Sequence, residues 1–204
     1  MHHVSVSSPF FRIELHSAAS IVRLTSPDGT NRLTRACVRA LTAAIQEAGA
    51  KQPGPLIIAG NRRFFSVGAD LNEIAALPLS GPEAREFAAM GQALMNSIAS
   101  YPVPIVAAIE GHCMGGGFDL ALACHRRIAA PHAIFGHRGA ALGLITGWGG
   151  TQRLPRLIGK GRALELFVAA EKVSATYALE IGLVDALADD PIAKAMRRLC
   201  QPAL

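Results

Sequence analysis

Two glycine-bearing turns stand out for what their backbones could do: Phe65-Ser66-Val67-Gly68-Ala69-Asp70 and Gly115-Gly116-Gly117-Phe118-Asp119. Each follows a short apolar run of the kind that forms a buried strand, so each could aim backbone N–H groups at a common point. Glycine lacks Cβ and lets a backbone come close to a ligand, and a helix beginning at Gly116 or Gly117 would add its positive dipole end. Two such N–H groups about 3 Å from a carbonyl oxygen form an oxyanion hole, which holds the charge of an enolate best where water is shut out. The plain alternative is that both clusters are tight turns in a compact fold, and the residues alone leave that open. A phosphate-cradling loop is excluded. Gly111 to Gly116 has suitable glycine spacing, but Gly117-Phe118 stands where Lys followed by Ser or Thr is required.

The elements that must hold these turns are legible in outline. Pro55 to Ala59 and Pro104 to Ile109 are continuous apolar runs bounded by Pro and Gly, the pattern of strands covered on both faces. Phe11 to Leu15 and Ile21 to Thr25 suit a hairpin. From Leu33 to Ala48 the apolar positions recur at helical period, and Gly49 sits where a C-terminal cap would. Glu83 to Ser100 carries Phe87, Met90, Leu94 and Ile98 at the same period, and Phe118 to Cys124 is too long and alanine-rich for a loop. Ile128 to Ala130 and Ala133 to Gly136 precede a second glycine-rich region, Gly143 to Gly150. Helical sequence follows at Lys160 to Ala170, Ala175 to Ile181 and Pro191 to Cys200. Strand, glycine turn, helix is the recurring order, which is that of an α/β fold.

Composition bounds the rest. At 204 residues, half of them apolar and 17% charged, the chain can bury one substantial core and is far from the disordered class. The reading is a single domain over 1–204, with a core from about 11 to 186 and a helical tail at 187–204. No run reaches the roughly 18 apolar residues a membrane span needs, and Met1 to Ser5 lacks the features of a leader, so the expectation is a cytoplasmic protein without membrane contact. The net charge of +5 suits an anionic ligand, but Arg62-Arg63, Arg126-Arg127 and Arg197-Arg198 are isolated pairs without interleaved aromatics. They read as solvated basic surface or a phosphate contact rather than a nucleic-acid face. Cys37, Cys113, Cys124 and Cys200 lie in apolar stretches without framework spacing, as buried reduced thiols do. His112-Cys113 and Cys124-His125 are adjacent pairs, which rarely converge on one ion, so no metal is expected.

Three stretches then carry a resemblance. Asn61 to Ile74 (NRRFFSVGADLNEI), Pro104 to Cys124 (PIVAAIEGHCMGGGFDLALAC) and Phe135 to Leu154 (FGHRGAALGLITGWGGTQRL) resemble the signature segments of the crotonase (enoyl-CoA hydratase/isomerase) family, in order and at family spacing. The resemblance covers residues 11 to 186. It implies a crotonase-like ββα spiral whose C-terminal helical segment is truncated relative to the family, assembly into a homo-oligomer (trimer or hexamer), and an acyl-CoA thioester as substrate. Coenzyme A is then part of the substrate and no separate cofactor is needed.

Carried over by position, the resemblance makes the backbone N–H groups of Ser66 and Gly116 the oxyanion pair and has Ser66, Val67, Gly68 and Ala69 line the thioester channel. Asn72 stands where many relatives have a CoA-contacting lysine. Asp119 falls at the first catalytic carboxylate, where it can serve as general base or be a first-turn aspartate favoured by the helix dipole. The second hydratase glutamate is replaced by Gly139. Hydration needs one group to activate water and one to deliver a proton, so a lone carboxylate disfavours ordinary hydratase chemistry. His137 and Arg138 are the auxiliary candidates, with a surface role the first reading of either and the imidazole required to point inward if it is to act. The expectation is an enzyme of fatty acid metabolism, an isomerase or lyase, acting through a thioester enolate. Acyl-CoA decarboxylation and a non-catalytic acyl-CoA-binding or subunit-interaction role are its rivals.

Overall fold

The computed structural model describes residues 6–51, 53–78 and 81–200; Met1 to Ser5 and the last four positions of the tail lie outside the described residues. The first three strands, β1 (Val6–Ser7), β2 (Phe11–Leu15) and β3 (Ser20–Leu24), run antiparallel, with β2 and β3 forming the expected hairpin. A short strand β4 (Arg32–Leu33) leads into helix α1 (Arg35–Lys51), whose buried Cys37, Val38, Leu41 and Ile45 share one face. Gly49 does not cap this helix but lies inside it. A Cβ there would come within 3.3 Å of the Tyr101 ring, so the glycine serves a close packing contact.

From here the chain repeats a unit. Strand β5 (Leu56–Ala59), buried on both faces, is followed by β6 (Phe64–Ser66), β7 (Gly68–Ala69), a short helix α2 (Leu71–Ala75) and the long helix α3 (Pro82–Ala99). Strand β8 (Ile105–Ile109), also buried throughout, is followed by β9 (His112–Met114) and helix α4 (Gly116–Ala123). Strand β10 (Arg126–Ala129) is followed by β11 (Ile134–Gly136), a 3-10 turn at Ala140–Leu142, and helices α5 (Gly150–Ile158) and α6 (Lys160–Ala169). After them come β12 (Val173–Ser174), α7 (Ala175–Glu180), β13 (Ala186–Leu187) and α8 (Pro191–Cys200).

The first strand of each unit enters a seven-stranded sheet of order β1-β2-β3-β5-β8-β10-β13, parallel from β3 onward. The second enters a four-stranded sheet of order β12-β11-β9-β6, while β4 pairs with β7. This alternation is the ββα spiral of an α/β fold. Helix α4 is its hub, buried from Gly117 to Ala123 and packed against α3, α5 and the short strands. Fully burying a side chain such as Phe118 or Leu120 contributes roughly 1.5–3 kcal/mol, so this helix is firmly anchored.

Helix α5 gives no helical signal in the sequence, because its interior Pro155 lacks the N–H a helical reading requires. One further expectation needs correction. Arg127 is not solvated surface: it is buried, donating from Nε to the Leu183 carbonyl and from Nη1 to the Cys124 carbonyl, both at 2.8 Å, beside Asp185. No helix among the described residues is long and apolar enough to cross a membrane.

Candidate active site

The two glycine turns meet at one cavity of about 380 Å³. Its wider part is lined by apolar side chains, among them Leu71, Ile74, Phe87, Leu144, Ile145 and Trp148. Its polar end holds Gly116, Asp119 and His137, with Val67 and Ala69 alongside. The cavity is open on its apolar side, but Asp119 and His137 at its polar end are buried, and burial strengthens any charge interaction made there.

The first turn is built around Asn31. Held in the left-handed region at φ 55°, Asn31 donates from Nδ2 to the carbonyls of Phe64 (2.9 Å) and Phe65 (3.2 Å). Its own carbonyl accepts the Ser66 hydroxyl at 2.7 Å, and Ser66 Oγ accepts the Gly68 amide at 3.1 Å. Ser66 is thus wholly buried, 0% exposed, and neither it nor Gly68 lines the cavity. The Val67 amide is also engaged, donating to the Thr30 carbonyl at 3.1 Å. Of the two residues of this turn that line the cavity, Val67 and Ala69, the one whose nitrogen lies against the second turn is Ala69. A Cβ on Gly116 would lie 3.2 Å from the Ala69 nitrogen, and one on Gly68 would lie 2.7 Å from the Gly116 nitrogen. Since an amide nitrogen sits ~2.5 Å from its own Cβ, the Ala69 and Gly116 nitrogens lie within about 6 Å of each other, close enough to share one oxygen. The structure therefore brings Ala69, and not Ser66, together with Gly116.

Glycine is required on both sides of that meeting. Gly68 takes φ +93°, and a Cβ at Gly116 would also enter the Trp148 ring at 2.5 Å. Trp148 itself is 5.5 Å from Phe87 by ring centroids, so the indole walls the cavity and presses on the start of α4.

Asp119 lies in the first turn of α4, 2% exposed, and lines the cavity. Its Oδ2 accepts the Thr146 hydroxyl in a short hydrogen bond. Its Oδ1 is 3.1 Å from His137 Nε2, yet the two are not aligned as a hydrogen bond, and neither atom has another partner. The distance therefore describes proximity rather than a formed bond. His137 is 7% exposed and held between the rings of Phe118 (5.0 Å) and Phe167 (5.4 Å), so it points inward rather than serving the surface. Arg138 is exposed and reaches only the cavity's edge. Gly139 also lines the cavity, but a Cβ there would lie 2.7 Å from the Leu144 carbonyl, so the backbone turn excludes a side chain at that place. Asn72 is exposed in α2, where its amide donates to the capping Asp70.

Three contributors had no sequence signal of their own. Thr146 and Trp148 sit within the glycine-rich region, and Gly150 starts α5 against the carboxylate: a Cβ there would be 2.3 Å from Asp119 Oδ1 and 3.0 Å from His137 Nε2. Arg153, one turn further on, donates to the Trp148 carbonyl and to Asn96 Oδ1; burial lowers its pKa and Asp119 partly restores it. The histidine and cysteine pairs do not converge: His125 Nδ1 accepts the Ile105 amide at 3.0 Å, while His112 lies against the Phe64 ring.

Comparison with known proteins agrees with this architecture. The family described as enoyl-CoA hydratase/isomerase matches residues 14–203. A Bacillus subtilis (strain 168) protein described as "Probable enoyl-CoA hydratase" is 48% identical over 135 residues, which are 66% of this chain and 52% of that protein. The chain thus spans about half the length of this curated relative. Among solved structures, an enoyl-CoA hydratase from Bacillus anthracis superposes with a TM-score of 0.87 at 33% identity, over 93% of this chain and 75% of that one. Pseudomonas aeruginosa DspI superposes with a TM-score of 0.89 at 30% identity, over 97% and 77%.

Proposed function

The chain belongs to the enoyl-CoA hydratase/isomerase family, and from that premise we propose that it binds an acyl-CoA thioester and moves a double bond within the acyl chain through an enolate. The observation that carries this reading is that Ala69, Gly116 and Asp119 line one largely apolar cavity. The Ala69 and Gly116 amides hold the thioester oxygen as negative charge develops on it; each such donor is worth about 10²–10³ in rate. Asp119 takes the proton from the neighbouring α-carbon. The apolar walls receive the acyl chain. No cofactor beyond the coenzyme A of the substrate takes part.

Isomerisation is favoured over hydration by Gly139. Adding water needs a second acid or base at a distance from the first, and the turn at Gly139 excludes a carboxylate there. Shifting a double bond only returns the proton that was removed. The same glycine favours a second reading, a binder that has kept the thioester site and lost the chemistry.

Conversion of a 3-enoyl-CoA to its conjugated 2-enoyl isomer, followed by absorbance, tests the proposal. Asp119→Asn keeps the shape and removes the base, so kcat/KM falls by about 10²- to 10⁴-fold while the Kd for a saturated acyl-CoA changes little. A wild-type protein that binds acyl-CoA but gives no turnover, and is unchanged by Asp119→Asn, is the binder instead.

A further inference from the structure

The isomerase reading leaves the imidazole beside Asp119 without a task. Asp119 Oδ2 is occupied by Thr146, so only Oδ1 is free to take a proton. That oxygen and His137 Nε2 are both buried, 3.1 Å apart, and each lacks a hydrogen-bond partner. Buried polar atoms left unpaired are uncommon in folded proteins and often mark a functional position. At this distance one proton placed between the two atoms satisfies both.

The surroundings keep the two groups in this relation. Phe118 and Phe167 flank the imidazole and hold its ring in place beside the carboxylate. Gly150 lets the start of α5 come against both atoms, where any larger residue would force them apart. The other titratable groups near the pair are Arg153 on α5, Arg138 beside the histidine and Cys113 on β9, whose thiol is pushed well above its ordinary pKa by burial.

From this geometry we infer that His137 is a proton relay for Asp119, carrying the proton from the α-carbon to the γ-carbon of a 3-enoyl thioester. This rests on the isomerase reading above. The α C–H bond breaks, its electrons enter the dienolate, and the proton joins Asp119 Oδ1. It passes to the Nε2 lone pair, restoring the carboxylate. The N–H bond then breaks, the proton bonds to the γ-carbon with a dienolate electron pair, and the double bond is left between the α- and β-carbons. Proton and electrons balance without a co-reactant.

The test separates proton transfer at the α-carbon from delivery to the γ-carbon. Exchange of the α-hydrogens of butanoyl-CoA with D2O reads removal and return at the α-carbon, with the abstracted proton replaced from solvent, whereas 3-enoyl to 2-enoyl conversion also requires delivery to the γ-carbon. In His137→Gln, which keeps a polar group but cannot carry the proton, α-exchange stays within about 5-fold of wild type while isomerisation falls by about 10²-fold or more at similar KM. Equal loss of both rates makes His137 merely structural and overturns the relay, as does no loss of either. If wild type binds acyl-CoA but performs neither reaction, the proposed function fails separately, and the pair is judged in the resting protein by imidazole ¹⁵N NMR. Asp119→Asn must then move the His137 nitrogen signals while the other histidines stay fixed; unmoved signals reject the pair.

Discussion

Ser66 and Ala69 are three positions apart, and the difference decides which amide faces the cavity. Motif matching locates the turn but not the direction of each N–H within it. That direction depends on Asn31, distant in sequence, whose carbonyl takes the Ser66 hydroxyl and draws it away from the cavity. The same limit applies to His137, whose inward orientation is set by Phe118 and Phe167 from two other elements. Gly116 and Asp119 were legible because they begin a helix behind a buried strand, and such a helix start has one orientation. Cysteines show burial overriding residue type in the same way. Burial pushes the Cys37 and Cys124 thiols up to about 12 and Cys113 well above its ordinary value, while Cys200, expected to be buried, is exposed on α8. Thiolate is the reactive form, so a thiol reagent at pH 8 labels one cysteine per folded chain and all four after denaturation. Rapid reaction of a second thiol in the folded protein contradicts the packing of α1, β9 or α4.

Helix α3 shows how far an element can be read and where reading stops. Its apolar period identified it, yet nothing in that period explains Gly91 in its buried face. On propensity alone Gly91→Ala should stabilise the helix by about 1 kcal/mol. The structure reverses the sign: the new Cβ would lie 2.1 Å from Trp148 Nε1, so the indole must leave its place between α3 and α4. Overpacking of this kind costs typically 1–3 kcal/mol, and the net effect is a lowered Tm together with altered emission from Trp148, the chain's only tryptophan. An unchanged spectrum with a raised Tm would show that the indole has room to move. The strands β5 and β8 and the helices α1, α6 and α8 were legible because each has one long apolar run or one clean period. The pieces β6, β7 and α2 are two to five residues long, too short for periodicity to appear, and α5 hides behind Pro155. Of the site's contributors, Ala69 lies on β7, Leu71 and Ile74 on α2 and Gly150 on α5, so the less legible elements supply much of its wall beside α4.

At the scale of the whole molecule, the apolar half of the composition is not all used inside. Leu164 and Val168, four residues apart and therefore on one face of α6, are 64% and 70% exposed, and Leu157 on the adjoining α5 is also exposed. Single exposed apolar residues are ordinary, but neighbouring ones across two packed helices suit a protein contact. Helices α5 and α6 also supply Gly150 and Phe167, which bear on Asp119 and His137, so a contact here would stiffen the proton-transfer pair from behind. The expected outcome is self-association at micromolar concentration, seen by light scattering as a mass of at least two chains. Leu164→Asp with Val168→Asp places charges on that face without touching the cavity and returns the protein to a monomer. The dissociated double variant should keep its circular dichroism spectrum but lose part of its kcat, because α6 carries Phe167 at the imidazole. A wild type that is monomeric at all concentrations tested would show that this face has no such role, and an assembly that survives the double substitution would place the contact elsewhere.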